Sequence, residues 1–313
     1  MNRLRRLAVL PAAMLILAAC QSNTGGNGSP AESTGAGTSA APSGGGTAEI
    51  TNIVCVGEAT TYLDWLNGDF LPDEQDPIEE PADTAGDLLE TIQDRGVLRV
   101  ATDANYEPQS FRNPDGSWAG FDIDVAAKIA EGLGVEVEYQ HQEWDIITAG
   151  NWSERWDISV GSMTITTDRK DLFSFTQPYY YTPAYVGASE RSGVTSFDDL
   201  GFELPDGAEA VTRPTDANCI EEIEAGRTEF DLVMTSGTVI DAAAAAGSPI
   251  TKIGEPVYQE NLAVAIDKAG PAHDALLYEI DRIIGEMHAD GTLTGLSEEW
   301  FEGDDLTQDP SGG

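Results

Sequence analysis

The stretch NIVCVGEATTYLDWL, residues 52–66, decides how this chain is assembled. Ile53, Val54 and Val56 form a short run suited to a buried strand. Thr60 and Thr61 then stand at a helix start, and Asp64 lies three residues beyond Thr61 in the spacing of a capping box. Tyr62, Leu63, Leu66 and Phe70 recur as one apolar helical face. A strand that runs into a helix, with hydroxyls at the junction, looks like part of a domain, yet it stands alone. Before it, residues 21–47 are mostly Gly, Ser, Thr, Ala and Asn, a composition that acts as a flexible spacer. After it, LPDEQDPIEEPADTAG (71–86) is acidic and Pro-rich and reads as a solvated connector.

The 313 residues suggest about two domains, and a hydrophobic content of 41% is enough for real cores. The formal net charge of -39, from 16 Lys+Arg against 55 Asp+Glu, excludes nucleic acid as a partner, because neutralising phosphates takes Lys and Arg. The acidity reads as a solvated surface. Arg3, Arg5 and Arg6 precede the apolar run LAVLPAAMLILAA, which is short for a membrane span, and the run ends in LAAC at Cys20. This resembles the lipobox of bacterial lipoproteins. The resemblance implies a signal peptide over 1–19, cleavage before Cys20, a lipid on its sulfur, and a tether over 20–48. The soluble body is then extracytoplasmic and anchored to the cell membrane. The remaining cysteines, Cys55 and Cys219, are expected to pair in an exported protein, the alternative being two buried thiols.

From residue 87 strand and helix signals alternate. DLLETIQDRG is a short amphipathic helix with Gly96 at its end, VLRVAT a strand, GFDIDVAAKIAEGLG a helix with Val125, Ile129 and Leu133 on one face and Asp122 and Asp124 placed to cap, VEVEYQ and WDISVGSM strands, and HDALLYEIDRIIGEMHADG a long amphipathic helix. The pattern is α/β, with helices on both faces of parallel sheets. No repeat and no second apolar span appears. His141, His273 and His288 are scattered without ligand or triad spacing, so no metal or cofactor is expected.

Several stretches resemble the bacterial extracellular solute-binding proteins of family 3, which serve ABC importers of polar amino acids. They are GVLRVATDANYEP (96–108), GFDIDVAAKIAEGLG (120–134), WDISVGSMTITTDRKDLFSFTQPYYYTPA (156–184), EAGRTEFDLVM (224–234) and ADGTLTGLSEEWF (289–301). The resemblance covers nearly all of residues 87–305. It implies a periplasmic-binding-protein-like fold of type II, two lobes with parallel or mixed sheets joined by a hinge and closing on a small ligand. The chemistry of SMTITTDR agrees: hydroxyls, backbone N–H groups and a guanidinium meet at one strand-to-helix turn, a setting that suits an anion. The resemblance gives Arg169 the ligand's α-carboxylate, with Ser162 and Thr164 as hydrogen-bond partners. It also places Asp103, Tyr106 and Trp144 in the cleft, as a charge for an ammonium and two aromatic walls.

Three departures stand out. Gln109 replaces an aromatic, and GNWSERW (150–156) is longer and adds two tryptophans. Ser236 stands where family members carry the Asp that holds the α-ammonium, so either Asp103 or Glu58 supplies the missing charge or the ligand lacks an α-amine. The second lobe also lacks its first strand and Thr-rich turn after SFDDL (196–200). NIVCVGEATTYLDWL fits that gap, and Thr60 and Thr61 would then contact the ligand from lobe two. The expected organisation is 49–70 as the transposed strand and helix of lobe two, 71–86 as linker, 87–187 with 263–305 as lobe one, 188–262 as the rest of lobe two, and 306–313 as a disordered tail. The expected function is a monomeric, lipid-anchored binding protein that delivers a polar amino acid or related small carboxylate to an ABC permease. The rivals are a cyclohexadienyl-type dehydratase on the same fold, with only Glu58 and Asp103 as candidate acids or bases, and a ligand sensor for a membrane receptor.

Overall fold

The structure, a computed structural model, describes residues 50–70 and 73–309, so the expected leader (1–19), Cys20 and tether lie outside the described residues. The chain begins with β1 (Ile53–Gly57), α1 (Thr61–Asn67), α2 (Leu88–Arg95) and β2 (Val97–Thr102). A small separate sheet follows, of β3 (Asn105–Tyr106), β4 (Ser110–Arg112) and β5 (Trp118–Ala119). Next come α3 (Phe121–Leu133), β6 (Glu136–His141), α4 (Trp144–Thr148), β7 (Ile158–Thr164), α5 (Thr167–Leu172), β8 (Phe173–Phe175) and β9 (Tyr180–Ser189). The last third holds β10 (Glu209–Arg213), α6 (Asp216–Glu224), β11 (Leu232–Ser236), α7 (Gly237–Ala246), β12 (Ile250–Asp267), α8 (Asp274–Ala289) and α9 (Thr292–Trp300).

The main sheet runs β10-β1-β11-β9-β12-β7-β2-β6, with β8 alongside β12. Its two ends have separate cores. Around β7, β2 and β6 the apolar residues of α2, α3, α8 and α9 cover one face, while Trp152, Trp156, Phe173 and Ile147 cover the other. Around β10, β1 and β11, Tyr62 and Leu66 of α1 cover one face, and Ile220, Ile223 and Ile240 of α6 and α7 cover the other. These are the two lobes. β9 and β12 are long because they serve both: β12 pairs with β9 at Ile250–Ile253 and again at Tyr258–Leu262, and its later residues pair with β7 in lobe one. The hinge is this antiparallel pair.

β1 lies inside lobe two. It pairs in parallel with β10 from Ile53↔Glu209 to Gly57↔Arg213, and with β11 at Val54↔Leu232. Alternation sends Val54 and Val56 to one core and Cys55 to the other, each fully buried. Cys55 is bonded to Cys219 of α6, as expected. The capping box expected at α1 does not form. Thr60 is the N-cap and its hydroxyl donates to the Gly57 carbonyl (2.9 Å), while the Thr61 hydroxyl is drawn away to Glu260.

Two further expectations change. Asp122 and Asp124 do not cap α3, whose N-cap is Gly120. Gly120 is required there: its φ is 126°, and an added Cβ would lie 2.2 Å from the Gln109 carbonyl oxygen. The two carboxylates are claimed by tertiary partners instead, Asp122 by Tyr179 and Ser162, Asp124 by the indole N–H of Trp300 (2.7 Å). The start of the tail is also held: the Tyr181 N–H donates to the Leu306 carbonyl (2.8 Å), and Thr307 is buried. No helix among the described residues is long and apolar enough to cross a membrane.

Candidate functional site

A cleft of about 540 Å³, counting its open mouth, lies between the lobes at the hinge. Lobe one contributes Asp103, Tyr106, Trp144, Ser162, Thr164 and Arg169, lobe two contributes Thr60, Thr61, Tyr62 and Asp216, and β12 contributes Glu260. Eight of the nine residues singled out from the sequence thus meet in one place. Ser236 does not line it: it is buried at the start of α7, and its hydroxyl pairs with that of Thr238 (2.9 Å). Glu58, the other charge considered, is exposed to solvent outside the cleft.

Arg169 sits in the first turns of α5, whose N-cap Thr166 accepts its backbone N–H (3.3 Å). Its guanidinium donates to the Thr164 carbonyl (3.1 Å) and, across the cleft, to the Ala59 carbonyl (3.3 Å). It stands 5.8 Å from the centroid of the Trp144 ring. Among the described residues it has no ion-pair partner, and burial pulls its pKa down. A guanidinium has further N–H groups beyond the two in use, arranged to take a carboxylate in a two-point grip.

Glu260 went unnoticed in the sequence, where it reads as one polar residue of a strand. It is buried and gathers four hydroxyls: Thr61 (2.8 Å) and Thr164 (2.6 Å) on Oε1, Tyr62 (2.8 Å) and Thr182 (3.2 Å) on Oε2. A carboxylate offers about four lone-pair sites, so these donors fill it. The hydroxyls of Thr61 and Thr164, expected on the ligand, are committed to this carboxylate. Glu260 thereby ties α1, β7 and the hinge together.

Ser162, two residues before the end of β7, has a φ of 56°, a conformation seldom adopted without glycine. Its hydroxyl donates to Asp122 (2.8 Å) and meets the Tyr180 hydroxyl (2.6 Å), while its N–H donates to the Tyr179 hydroxyl (2.9 Å). This buried network supports the cleft floor and holds the backbone where local strain is offset by tertiary bonds. Asp103 accepts twice from Asn105 (2.9 and 3.0 Å), and burial raises its pKa. Gln109 donates to the Thr238 hydroxyl of lobe two (2.7 Å), so the residue that replaces an aromatic bridges the lobes. Trp152 and Trp156 are core residues packed at a tilt to each other beside Phe173, away from the cleft.

Burial lifts Asp122 to about 7, with the Tyr179 and Ser162 hydroxyls pulling the other way. The folded value exceeds the unfolded one, so the stability tied to this proton is full below about pH 4 and is lost as pH rises through about 7. Asp122→Asn removes that loss. Relative to the unsubstituted protein, the variant is expected to gain a few kcal/mol of unfolding free energy between pH 5 and pH 8. Denaturant unfolding at the two pH values measures it; an unchanged difference would contradict the assignment.

The model of the bacterial extracellular solute-binding proteins, family 3, matches residues 98–303. The L-cystine-binding protein TcyJ of Escherichia coli (strain K12) is 29% identical over 71% of this chain and 88% of its own length. A probable amino-acid ABC transporter-binding protein of Haemophilus influenzae is 28% identical over 72% of this chain and 91% of its own. Among solved structures, the ancestral amino acid-binding protein AncCDT-1, described as a precursor of cyclohexadienyl dehydratase, superimposes with a TM-score of 0.60. It is 30% identical, covering 68% of this chain and 99% of that one.

Proposed function

The chain belongs to the bacterial extracellular solute-binding proteins of family 3, and on that premise we propose that it captures a polar amino acid, or a related small carboxylate, between its lobes and delivers it to an ABC importer. The observation that carries this reading is Arg169: a buried guanidinium in an interlobe cleft, with no carboxylate paired to it among the described residues. It holds the α-carboxylate of the ligand. Tyr106 and Trp144 form the aromatic walls. Thr60, at the head of α1, brings lobe two to the ligand, and the hydroxyls around Glu260 set the closed geometry.

Residues 53–67 serve in this reading as the first strand and helix of lobe two, transposed ahead of lobe one. The parallel pairing of β1 between β10 and β11 and the start of the family match at residue 98 support it. The chain then passes between the lobes three times, by the connector, β9 and β12. The lipobox-like LAAC places a lipid on Cys20 and the tethered monomer at the outer side of the cell membrane; detergent partitioning of the mature chain checks the anchor. No chemistry is done on the ligand, and turnover of a cyclohexadienyl acid by purified protein would overturn that part.

A thermal-shift screen of L-amino acids, L-cystine and small carboxylates tests the reading. A true ligand at a hundredfold excess over Kd adds about 2.7 kcal/mol to the folded state, a shift of several degrees. A screen in which no amino acid or carboxylate moves the transition would sink it.

A further inference from the structure

We propose that Asp216, the first residue of α6, receives the ammonium group of the bound amino acid. The inference rests on the amino acid reading above and adds the residue that makes it selective for an amine. Asp216 lines the cleft and is only 3% exposed. Its Oδ1 accepts the Gly57 N–H at the tip of β1, and its Oδ2 accepts the Thr235 hydroxyl at the tip of β11 (3.1 Å). Two of its roughly four lone-pair sites are thus taken and the rest are open. Among the described residues no Lys, Arg or His pairs with it. A buried carboxylate without a cation is costly unless a cation arrives.

The other acids of the cleft fit this role less well. Glu260 is filled by its four hydroxyls. Asp103 sits nearer solvent against His141, 4.0 Å away. The backbone has been shaped around Asp216: a Cβ at Gly57 would lie 2.9 Å from both its carboxylate and its backbone nitrogen, so only glycine lets α6 approach β1 this closely. The carboxylate also lies beside Thr235, near the tip of β11.

Proton linkage follows. Burial, with the charge of Glu260 added, lifts Asp216 to about 7, against the Gly57 and Thr235 hydrogen bonds. The ionisable groups facing it are Glu260 and Tyr258 of β12, Tyr62 of α1 and Tyr106 of β3. An ammonium favours the ionised carboxylate, so binding at pH 6 expels the proton, and affinity rises as pH climbs through about 7.

The probes are the L-amino acid that gives the largest thermal shift and the 2-hydroxy acid with the same side chain. Calorimetry at pH 6 in two buffers of different ionisation enthalpy reads both affinity and protons released. Asp216→Asn is expected to weaken the amino acid at least 50-fold and the hydroxy acid less than threefold, and to abolish proton release. Equal losses for both probes, no loss for either, or proton release that survives in Asp216→Asn would overturn the proposal. If the unsubstituted protein binds no amino acid at all, the underlying reading fails instead.

Discussion

Arg169→Ala is expected to weaken ligand binding by a factor on the order of 10² to 10³. Truncating one partner of a desolvated charge pair costs roughly 2–5 kcal/mol, much of it because the other charge is left buried and unpaired. In this cleft the stranded charge would be the ligand's carboxylate, since among the described residues Arg169 is the only Lys or Arg that lines it. The unliganded variant should fold normally. The guanidinium holds two backbone carbonyls, Thr164 and Ala59, but it pays a burial cost without an internal anion, so its removal is close to neutral for stability. Arg169→Lys keeps the charge and loses the planar fork, and it should fall between the two. Titration calorimetry on folded variants measures the series. Undiminished affinity in Arg169→Ala would remove the carboxylate from this corner of the cleft.

The largest effect on stability is expected from the Cys55–Cys219 bond. It joins positions 164 residues apart, and the loop it closes includes the 87–187 part of lobe one. In the chain-entropy account, a loop of that length raises the unfolded state by about 5 kcal/mol, an upper figure because engineered and native bridges deliver about 2–5. The bond also acts locally. β1 reaches the rest of the chain only through the connector, so without the bridge its seat between β10 and β11 depends on strand pairing and on Val54 and Val56 in the core. Cys55→Ala/Cys219→Ala is therefore expected to lower the denaturant midpoint strongly and to weaken ligand binding too, because Ala59, Thr60 and Thr61 ride on that strand. Equilibrium unfolding of oxidised protein and variant decides; a difference below about 1 kcal/mol would show that the pairing alone secures β1.

Much of this was legible in the residues, and what was hidden has a common cause. The strands and helices declared themselves by local pattern: β1 by its Ile-Val-x-Val run, α2 by Gly96 after it, α3 by Val125, Ile129 and Leu133. Arg169, Ser162 and Thr164 were visible because a strand-to-helix turn rich in hydroxyls is a local pattern. Glu260 was not, because its four donors come from residues 61, 62, 164 and 182 and meet only when the hinge strands cross. Asp216 hid behind Thr215, whose capping box makes an acid in the next position look like ordinary first-turn chemistry. Asp122 misled for the same reason: a helix-start acid suggests a cap, and only the fold shows that Tyr179 and Ser162 reach it first.

The connector has a mechanical consequence. Asp73 is fastened to lobe one: its N–H donates to the Ile165 carbonyl (3.3 Å), and Lys170 holds its carboxylate (3.3 Å), that of Asp76 (2.8 Å) and the Glu74 carbonyl (2.9 Å). α1, on lobe two, ends at Asn67. The covalent path between them is a leash of at most about 20 Å at full extension. The leash links the lobes in addition to β9 and β12, starting where Phe70 packs on Tyr258 of β12 (4.4 Å between ring centroids), and it limits how far the mouth can swing before something must give. The fastening is solvent-facing and its charges are screened by salt, so it is the part that yields first. The travel of the cleft is thereby set by a clasp on the outside of the molecule, away from the ligand.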